Sequence, residues 1–346
     1  MELSSQLVLR NFARLRASDI LLFDPPPDSL FRELAEAGFG VSLWCQDYAD
    51  CHWLRDQQAQ VEFGVLPAVE SVPKQVILFQ PKEKDRLDLL LHFLAQSVPA
   101  DGCIWLVGEN RAGIKSAGRR LDNFYSSTSR LDAARHCVLF SAQQASHPAP
   151  FRLSDYRQNW LLASPSGDLR MVSLPGTFAH GRMDAGTGFL LRVVQSLEPE
   201  NRPAGSVLDF GCGNGIIGIY LLHNNPSLNV TLLDNSALSL EAARLSLLAN
   251  SLSARLLPSD GLRSVTQRFD WLVSNPPFHR GVAARYDTAQ QFFAAAPGAL
   301  TRNGRMLIVC NQHLPYETWL SEHFAKVELL EKQNRFKVLQ ASGPKA

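Results

Sequence analysis

The sequence has little net charge and no long hydrophobic run, and each absence excludes a class of protein. Lys and Arg number 34 against 33 Asp and Glu, so the formal net charge is +1. This balance excludes a protein held to nucleic acid by bulk charge alone, although it allows a local basic patch. A run of about 18 apolar residues is also absent, so we expect neither a transmembrane helix nor a membrane partner.

Cysteine and histidine show no pattern that would indicate a disulfide framework or a metal site. The 6 cysteines are scattered and form no CxxC pair, which predicts reduced thiols. The 9 histidines lack the spacing of metal ligands, so we predict no metal. The first residues do not resemble a secretory signal, and the sequence therefore predicts a cytoplasmic protein.

The chain has enough apolar material for more than one core. It contains 346 residues, of which 45% are hydrophobic and 19% are charged. This composition excludes a disordered chain. At roughly 150 residues per domain, it suggests about two domains.

The C-terminal half alternates between short apolar runs and amphipathic segments. A strand over Ser206–Phe210 ends in a glycine-rich turn, a helix follows over 216–223, and a second strand over 230–233 ends on Asp234. Such alternation predicts an α/β fold with a mostly parallel, doubly wound sheet. The other expected elements are a helix from the Ser236 cap to Asn250, a strand over 269–274, a helix over 287–300, a strand over 306–310 and a hairpin of 327–330 with 336–339.

The N-terminal half shows the same alternation of strands and helices in a less regular form. Strands are expected over 20–23, 41–45 and 76–79, and the last is followed by Gln80-Pro81 much as the strand over 269–274 is followed by Asn275-Pro276. We interpret this repetition as an internal duplication that gives two tandem Rossmann-like domains. The alternative is two unrelated doubly wound domains, which would match as loosely.

The N-terminal copy lacks the chemistry of the C-terminal one. Three prolines, 25–27, stand where the glycine-rich turn would be, and proline has no N–H to offer a ligand. We therefore expect residues 1–150 to form a degenerate domain for scaffolding or substrate recognition, without a cofactor. Residues 151–346 should form the catalytic domain, and the polar stretch 141–155 is a reasonable linker.

The first chemical signal is the turn after the strand over 206–210. Asp209 is followed by glycines at 211, 213 and 215, which allow a sharp turn and a close approach of a ligand to the backbone. Asp234, at the end of the next strand, suits the two hydroxyls of a ribose. Gly213, Gly215 and Gly218 also satisfy the GxGxxG pattern of dinucleotide-binding proteins, so a module that only binds NAD or a similar nucleotide stays an alternative.

The second signal is Asn275-Pro276-Pro277-Phe278, which directly follows an apolar strand. The carboxyl ends of parallel strands form the ligand crevice, so Asn275 should face the same crevice as the glycine-rich turn. Two prolines stiffen the backbone and make the Asn275 side chain and the Pro276 carbonyl a rigid pair of acceptors. With the Phe278 ring beside them, they suit a planar base that bears an exocyclic amine.

These motifs together resemble the S-adenosylmethionine-dependent amino-group methyltransferases. Within them the chain is similar to the small-subunit ribosomal RNA guanine-N2 family, which acts on guanine 1207 of 16S ribosomal RNA. The segments that carry this resemblance are VSNPPFH at 273–279, PGTF at 175–178, DAGT at 184–187, VGENRAGIKSA at 107–117, LPY at 314–316 and RFKV at 335–338.

The resemblance implies S-adenosyl-L-methionine as cofactor and a role for each matching residue. The catalytic set is Asn275, Pro276, Pro277 and Phe278. The cofactor-binding set is Asp209, Gly211, Gly213, Asn214 and Gly215 for the methionine end, Asp234 for the ribose, Asn235, Asp260 and Gly261 for the adenine, and Phe178, Asp184 and Thr187 as a cover.

The implied reaction is methyl transfer to the exocyclic N2 of a guanine in 16S ribosomal RNA, either free or in the small ribosomal subunit, by a protein that we expect to be monomeric. Three other substrates are compatible with parts of this pattern: a guanine of the large-subunit RNA, adenine N6 in DNA, and a glutamine in release factors. The whole-chain resemblance argues against the last two.

A basic stretch in the N-terminal half is the predicted RNA contact. Residues 1–100 hold nine basic and fourteen acidic groups, whereas residues 111–135 hold six basic groups and two acidic ones. Clustered basic residues indicate phosphate contacts, although a solvated helix face would look the same. The candidates are Arg111, Lys115, Arg119 and Arg120. Arg280, just after the Asn-Pro-Pro-Phe motif, is a further candidate for contact with a phosphate beside the target base, which must leave its stack to reach the crevice.

Overall fold

The computed structural model describes residues 1–146, 149–276 and 282–345, with the side chains of 282–287 left out. The chain divides into two compact units, Met1–Arg157 and Gln158–Ala346. Each unit contains a seven-stranded sheet among its described residues.

In the first unit the sheet has the strand order β3-β2-β1-β4-β5-β7-β6. Strands β1 to β5 pair in parallel, whereas β7 is antiparallel to both β5 and β6. The strands are β1 Asp19–Phe23, β2 Gly40–Cys45, β3 Val61–Phe63, β4 Gln75–Phe79, β5 Cys103–Glu109, β6 Tyr125–Ala134 and β7 Cys137–Ala145. The helices are α1 Leu3–Arg10, α2 Leu30–Glu36, α3 Tyr48–Asp56, α4 Lys84–Ser97 and α5 Ile114–Leu121.

The second unit begins with an antiparallel pair, β8 Gln158–Leu162 and β9 Leu169–Ser173. Its main sheet has the order β12-β11-β10-β13-β14-β16-β15, which is the order of the first unit repeated. The strands are β10 Ser206–Phe210, β11 Asn229–Asp234, β12 Arg255–Pro258, β13 Phe269–Ser274, β14 Leu300–Asn311, β15 Phe324–Gln333 and β16 Phe336–Pro344. The helices are α6 Ala185–Ser196, α7 Ile216–Asn224, α8 Ala237–Ala249, α9 Val282–Ala295 and α10 Tyr316–His323.

The central strands are buried on both faces because helices cover the sheet on both sides. Every residue of β4 is buried. Val76 and Leu78 belong to one hydrophobic core and Ile77 and Phe79 to another, as expected when alternate side chains point to opposite faces. This arrangement and the repeated strand order confirm the predicted fold class, two tandem doubly wound domains.

Several boundaries differ from the sequence-based expectation, and two of the differences have a clear tertiary cause. The helix expected over 287–300 ends earlier, because Pro297 lies in a short 3-10 turn and Leu300 already pairs with Phe269 in the sheet. The first unit extends to Arg157 rather than to residue 150. The reason is that residues following 150 pack on the first unit: the Tyr156 hydroxyl lies 2.8 Å from Nδ1 of the buried His92.

Candidate active site

Four parallel strand ends bring the predicted site residues to one edge of the second sheet. Asp209 pairs with Val273 in the sheet, so the turn after β10 and the segment after β13 start at the same level. The Ser274 hydroxyl donates to the Phe210 carbonyl at 2.7 Å and ties these two strand ends together. The glycine-rich turn and Asn275 therefore lie at neighbouring strand ends, as the sequence predicts.

The glycines of the turn serve two purposes. Gly211, Gly213 and Gly215 have φ values of 66°, 56° and 84°, a region that other residues rarely adopt. A Cβ at Gly213 would have no heavy atom within 4 Å, so this position faces open space. A Cβ at Gly218 would instead lie 2.3 Å from Leu232 Cδ2, so that glycine allows α7 to pack on the sheet.

Asp234 connects the turn to the next helix. Its Oδ2 accepts the Gly213 N–H at 2.8 Å and its Oδ1 accepts the Ser236 N–H at 2.8 Å. Asn235, half-buried, follows it directly. The Asp234 carboxylate is thus fixed against the turn at the carboxyl end of β11, where a ribose-binding carboxylate is required.

Two buried polar atoms in the turn have no hydrogen-bond partner among the described residues. They are Oδ1 of Asp209, which is 0% exposed, and Nδ2 of Asn214, which is 2% exposed. Burial raises the pKa of Asp209 to about 7, an effect that the Gly218 N–H opposes and nearby Asp234 increases. An orphaned acceptor at the end of β10 and an orphaned donor in the turn that follows suit the ammonium and the carboxylate of an amino acid, so these residues fit the methionine end of S-adenosylmethionine.

The other predicted cofactor residues lie around the same edge or before α6. Asp260 follows β12, and its Oδ2 lies 3.1 Å from Nη1 of Arg263. The φ of Gly261 is 60°, and no heavy atom lies within 4 Å of a Cβ placed there. Phe178 is 48% exposed on the segment that precedes α6.

The side chain of Asn275 is held by Asp184 and Thr187, two residues predicted to contact the cofactor. Its Nδ2 donates to Asp184 Oδ2 and to Thr187 Oγ1, both at 3.0 Å. Asp184 also caps α6, since the same oxygen accepts the N–H groups of Gly186 and Thr187. The predicted site residues Pro277, Phe278 and Arg280 lie outside the described residues.

Sequence reasoning missed the contact between Asp184, Thr187 and Asn275. A signal for part of it was present, because Asp directly before an apolar helical stretch is a preferred N-cap residue. The capping pattern predicts α6, but it carries no information about which distant side chain shares the carboxylate.

Only part of the predicted basic patch is free for RNA. Arg120 pairs with Asp88, and Arg111 pairs with Glu109, with Nη2 and Oε1 3.2 Å apart. Lys115 and Arg119 are exposed and make no ion pair within the described part of the chain. These two residues are the stronger candidates for phosphate contacts.

Neither a metal cluster nor a membrane span is found in the described residues. Within these ranges no three His, Cys, Asp or Glu side chains are grouped so that they could hold a metal ion. Across the same residues, every helix is too short or too polar to cross a bilayer.

The sheet order, the glycine-rich turn and the Asn275-Pro276 segment define a methyltransferase of the doubly wound class. Residues 168–340 match the family model "Methyltransferase small domain", and residues 5–160 match "Methyltransferase small domain N-terminal".

Curated relatives narrow the assignment. The chain is 34% identical over 337 residues to ribosomal RNA small subunit methyltransferase C of Shewanella sp. (strain MR-4), covering 96% of this chain and 97% of the relative. Identity to the protein of the same name from Shewanella sediminis is 34% over 339 residues, with 96% of each chain covered. The chain belongs to the ribosomal RNA small subunit methyltransferase C family.

A solved structure supports the fold over nearly the whole chain. It is the T. thermophilus 16S rRNA N2 G1207 methyltransferase in complex with AdoMet and guanosine, with a TM-score of 0.84 and 23% sequence identity. The match covers 99% of this chain and 92% of the T. thermophilus chain. Together with the family assignment, it confirms the resemblance found in the sequence.

Proposed function

We propose that this chain transfers a methyl group from S-adenosylmethionine to the exocyclic N2 of a guanine in 16S ribosomal RNA, and that guanine 1207 is the target. The observation that carries the proposal is the position of Asn275 beside the glycine-rich turn at neighbouring strand ends. The names of the curated relatives support the ribosomal substrate. The T. thermophilus enzyme, named for N2 of G1207, supports the target.

The residues of the turn would hold the cofactor. Asp209 and Asn214 have the buried acceptor and donor that suit its ammonium and carboxylate, and Asp234 suits its ribose hydroxyls. Asn235, Asp260 and Gly261 follow the next strand ends, where its adenine would lie. When bound, S-adenosylmethionine supplies a methyl group activated by the sulfonium sulfur.

Asn275 and Pro276 would act on the guanine amine. The nitrogen lone pair is delocalised into the ring, which makes the free amine a poor nucleophile. The Asn275 side-chain oxygen and the Pro276 carbonyl would each accept one N–H and draw the nitrogen towards tetrahedral geometry. Its lone pair would then form the new N–C bond while the bond from the methyl carbon to sulfur breaks and S-adenosylhomocysteine is left. The same two oxygens would stabilise the positive charge on nitrogen until a proton leaves to solvent.

This chemistry requires positioning more than a strong base. Holding the amine in line with the methyl carbon can lower the barrier by about 7–11 kcal/mol in favourable cases. The base must leave its stack to reach the crevice, at a cost of a few kcal/mol. Phosphate contacts from Lys115 and Arg119 would help to hold the displaced strand. We expect a monomer that acts in the cytoplasm, where ribosomal RNA is made and assembled.

Mapping of labelled methyl groups tests the proposal. Purified protein is incubated with S-adenosylmethionine carrying a labelled methyl and with 16S RNA or small subunits from cells that lack the gene. Mass spectrometry of nuclease fragments should find one methyl on the guanine amine at position 1207. Label in large-subunit RNA, or stabilisation by NAD rather than by S-adenosylhomocysteine in a thermal-shift assay, would refute it.

A further inference from the structure

The amide nitrogen of Asn275 is held by two side chains from a distant segment. Asp184 and Thr187 lie 91 and 88 positions away in the chain, and both accept from the Asn275 nitrogen at 3.0 Å. We propose that Asp184 and Thr187 are positioning residues that fix the orientation of the Asn275 amide for catalysis. This proposal rests on the function proposed above for Asn275.

The chemistry of the partners determines which way the amide faces. An ionised carboxylate has no proton to donate, so the amide atom next to Asp184 must be the nitrogen. The Asn275 side-chain oxygen is then at the opposite end of the amide. The acceptor required by the substrate amine is therefore turned away from α6, and the opposite rotamer would leave an amide oxygen facing a carboxylate.

Asp184 itself has little freedom to move. Its Oδ2 also accepts the backbone N–H groups of Gly186 at 2.8 Å and Thr187 at 3.2 Å. A Cβ at Gly186 would lie 3.0 Å from this oxygen and 3.1 Å from the Phe336 ring. A larger residue at this position would therefore crowd the Asp184 carboxylate. The Thr187 side chain is buried as well, with 5% of the residue exposed.

Loss of this clamp should reduce the rate more than it affects binding of the cofactor. A freed amide can turn by half a rotation and present its NH₂ to the substrate NH₂, two donors that repel. The reaction depends on acceptors that are already oriented before the substrate arrives. An Asn275 amide that spends time in the wrong orientation therefore lowers the rate constant. Thr187 contributes one neutral acceptor and Asp184 a charged one, and Asp184 should therefore matter more.

Two pairs of variants separate positioning from capping and packing. Thr187→Val removes the hydroxyl at nearly constant volume, and Thr187→Ser retains it. Asp184→Ser retains a good helix cap but is too short to reach Asn275, whereas Asp184→Asn can keep both contacts. We expect kcat to fall about tenfold in Thr187→Val and about 100-fold in Asp184→Ser, following the usual strength of neutral and charged hydrogen bonds.

The conservative variants should recover most of the lost rate, and the dissociation constant of S-adenosylhomocysteine should stay the same in all four. A weaker dissociation constant with unchanged kcat would instead assign Asp184 and Thr187 to the cofactor. In an Asn275→Ala background, Thr187→Val and Asp184→Ser should cause no further loss, since residues that act through one group are not additive. Full additivity would overturn the proposal.

A direct readout of the amide keeps this test independent of the proposed function. The side-chain NH₂ of Asn275 can be followed by ¹⁵N NMR and assigned from its absence in Asn275→Ala. Its two proton signals should shift and exchange faster with water in Asp184→Ser and Thr187→Val. Unchanged signals would refute the positioning role, whereas shifted signals in a protein that methylates no RNA would refute only the function.

Discussion

The two units share a strand order but differ in the turn after their first central strand. Gly211, with φ of 66°, follows β10, and the corresponding residue after β1 is Asp24, with φ of 50°. In the first unit the Asp24 carboxylate accepts the Gln46 N–H at 2.6 Å and pairs with Arg86. Arg86 also donates to Gln46 Oε1 at 2.7 Å.

Protein groups in the first unit therefore occupy the edge where the second unit has an open turn. The buried strands are equivalent in both, because a core needs only apolar residues at the right period. At the position of Asp209 the first unit has Leu22, which is fully buried. Two sheets with the same strand order can therefore differ at the edge after their central strands through a few turn residues, and we predict that this difference leaves the first unit without a cofactor site.

The largest effect is expected at Asn275, which follows β13 in the second unit. Its matched control is Gln80, which follows the equivalent strand β4 in the first unit. Asn275→Ala should lower kcat by about 10²–10³, as removal of a preorganised group does, with little change in cofactor affinity. Gln80 occupies the same place in the first unit, where its Nε2 donates to the Ala112 carbonyl at 2.9 Å. Gln80→Ala should leave kcat near that of the wild type. Methyl-transfer assays check both, and equal losses would remove the functional distinction between the units.

The next largest effect is expected from loss of the ion pair between Arg86 and Asp24 in the first unit. The side chains of Arg86 and Asp24 are 20% and 15% exposed, so Arg86→Met leaves a mostly buried carboxylate without its charged partner. We expect thermal unfolding to show a loss of about 2 kcal/mol, partly recovered by adding Asp24→Asn. Calorimetric titration with S-adenosylhomocysteine should still give one site per chain. A second site in either variant would contradict the view that the first unit has lost cofactor binding.

The pH dependence of cofactor affinity tests the role of Asp209, whose counterpart in the first unit is Leu22. Its pKa is raised by burial to about 7, and the ionised form is needed for a cationic ammonium. Cofactor affinity should therefore fall up to about tenfold from pH 7 to pH 6. In the ligand-free protein the sign is opposite: since the folded pKa exceeds the reference value of 3.8, stability falls as the pH rises from there to about 7.

Asp209→Asn should bind the cofactor more weakly and without this pH dependence. Isothermal titration at several pH values measures the affinity, and thermal denaturation without ligand measures the stability. A wild-type affinity that is constant between pH 6 and pH 8 would exclude a contact between the Asp209 carboxylate and the ammonium.

The smallest effect is expected in the basic region of the first unit. Arg119→Glu should weaken RNA binding and reduce the slope of log affinity against log salt by about one, the value for one phosphate contact. Arg120→Gln should instead affect mainly stability, because Arg120 pairs with Asp88. Filter binding at several salt concentrations checks both variants. An unchanged slope in Arg119→Glu would exclude this residue from the RNA contact.

Local patterns predicted the second unit well. The strand over Phe269–Ser274 and the cap at Ser236 are observed as expected, because a short apolar run and a helix cap depend on neighbours a few residues away. The helix near 287–300 was shifted, since the pairing of Leu300 with Phe269 is a tertiary contact that competes with local helix propensity.

The sequence by itself determined the chemistry available to this protein: a glycine-rich turn, an acidic strand end and an asparagine before two prolines, in an order that parallel strands bring to one edge. Only the tertiary structure decided which distant groups meet there. It directed Asp184 and Thr187 to the Asn275 amide and paired Arg120 with Asp88. The physical reason is that backbone geometry and periodicity are local, whereas a hydrogen bond across about 90 residues exists only once the whole sheet has packed.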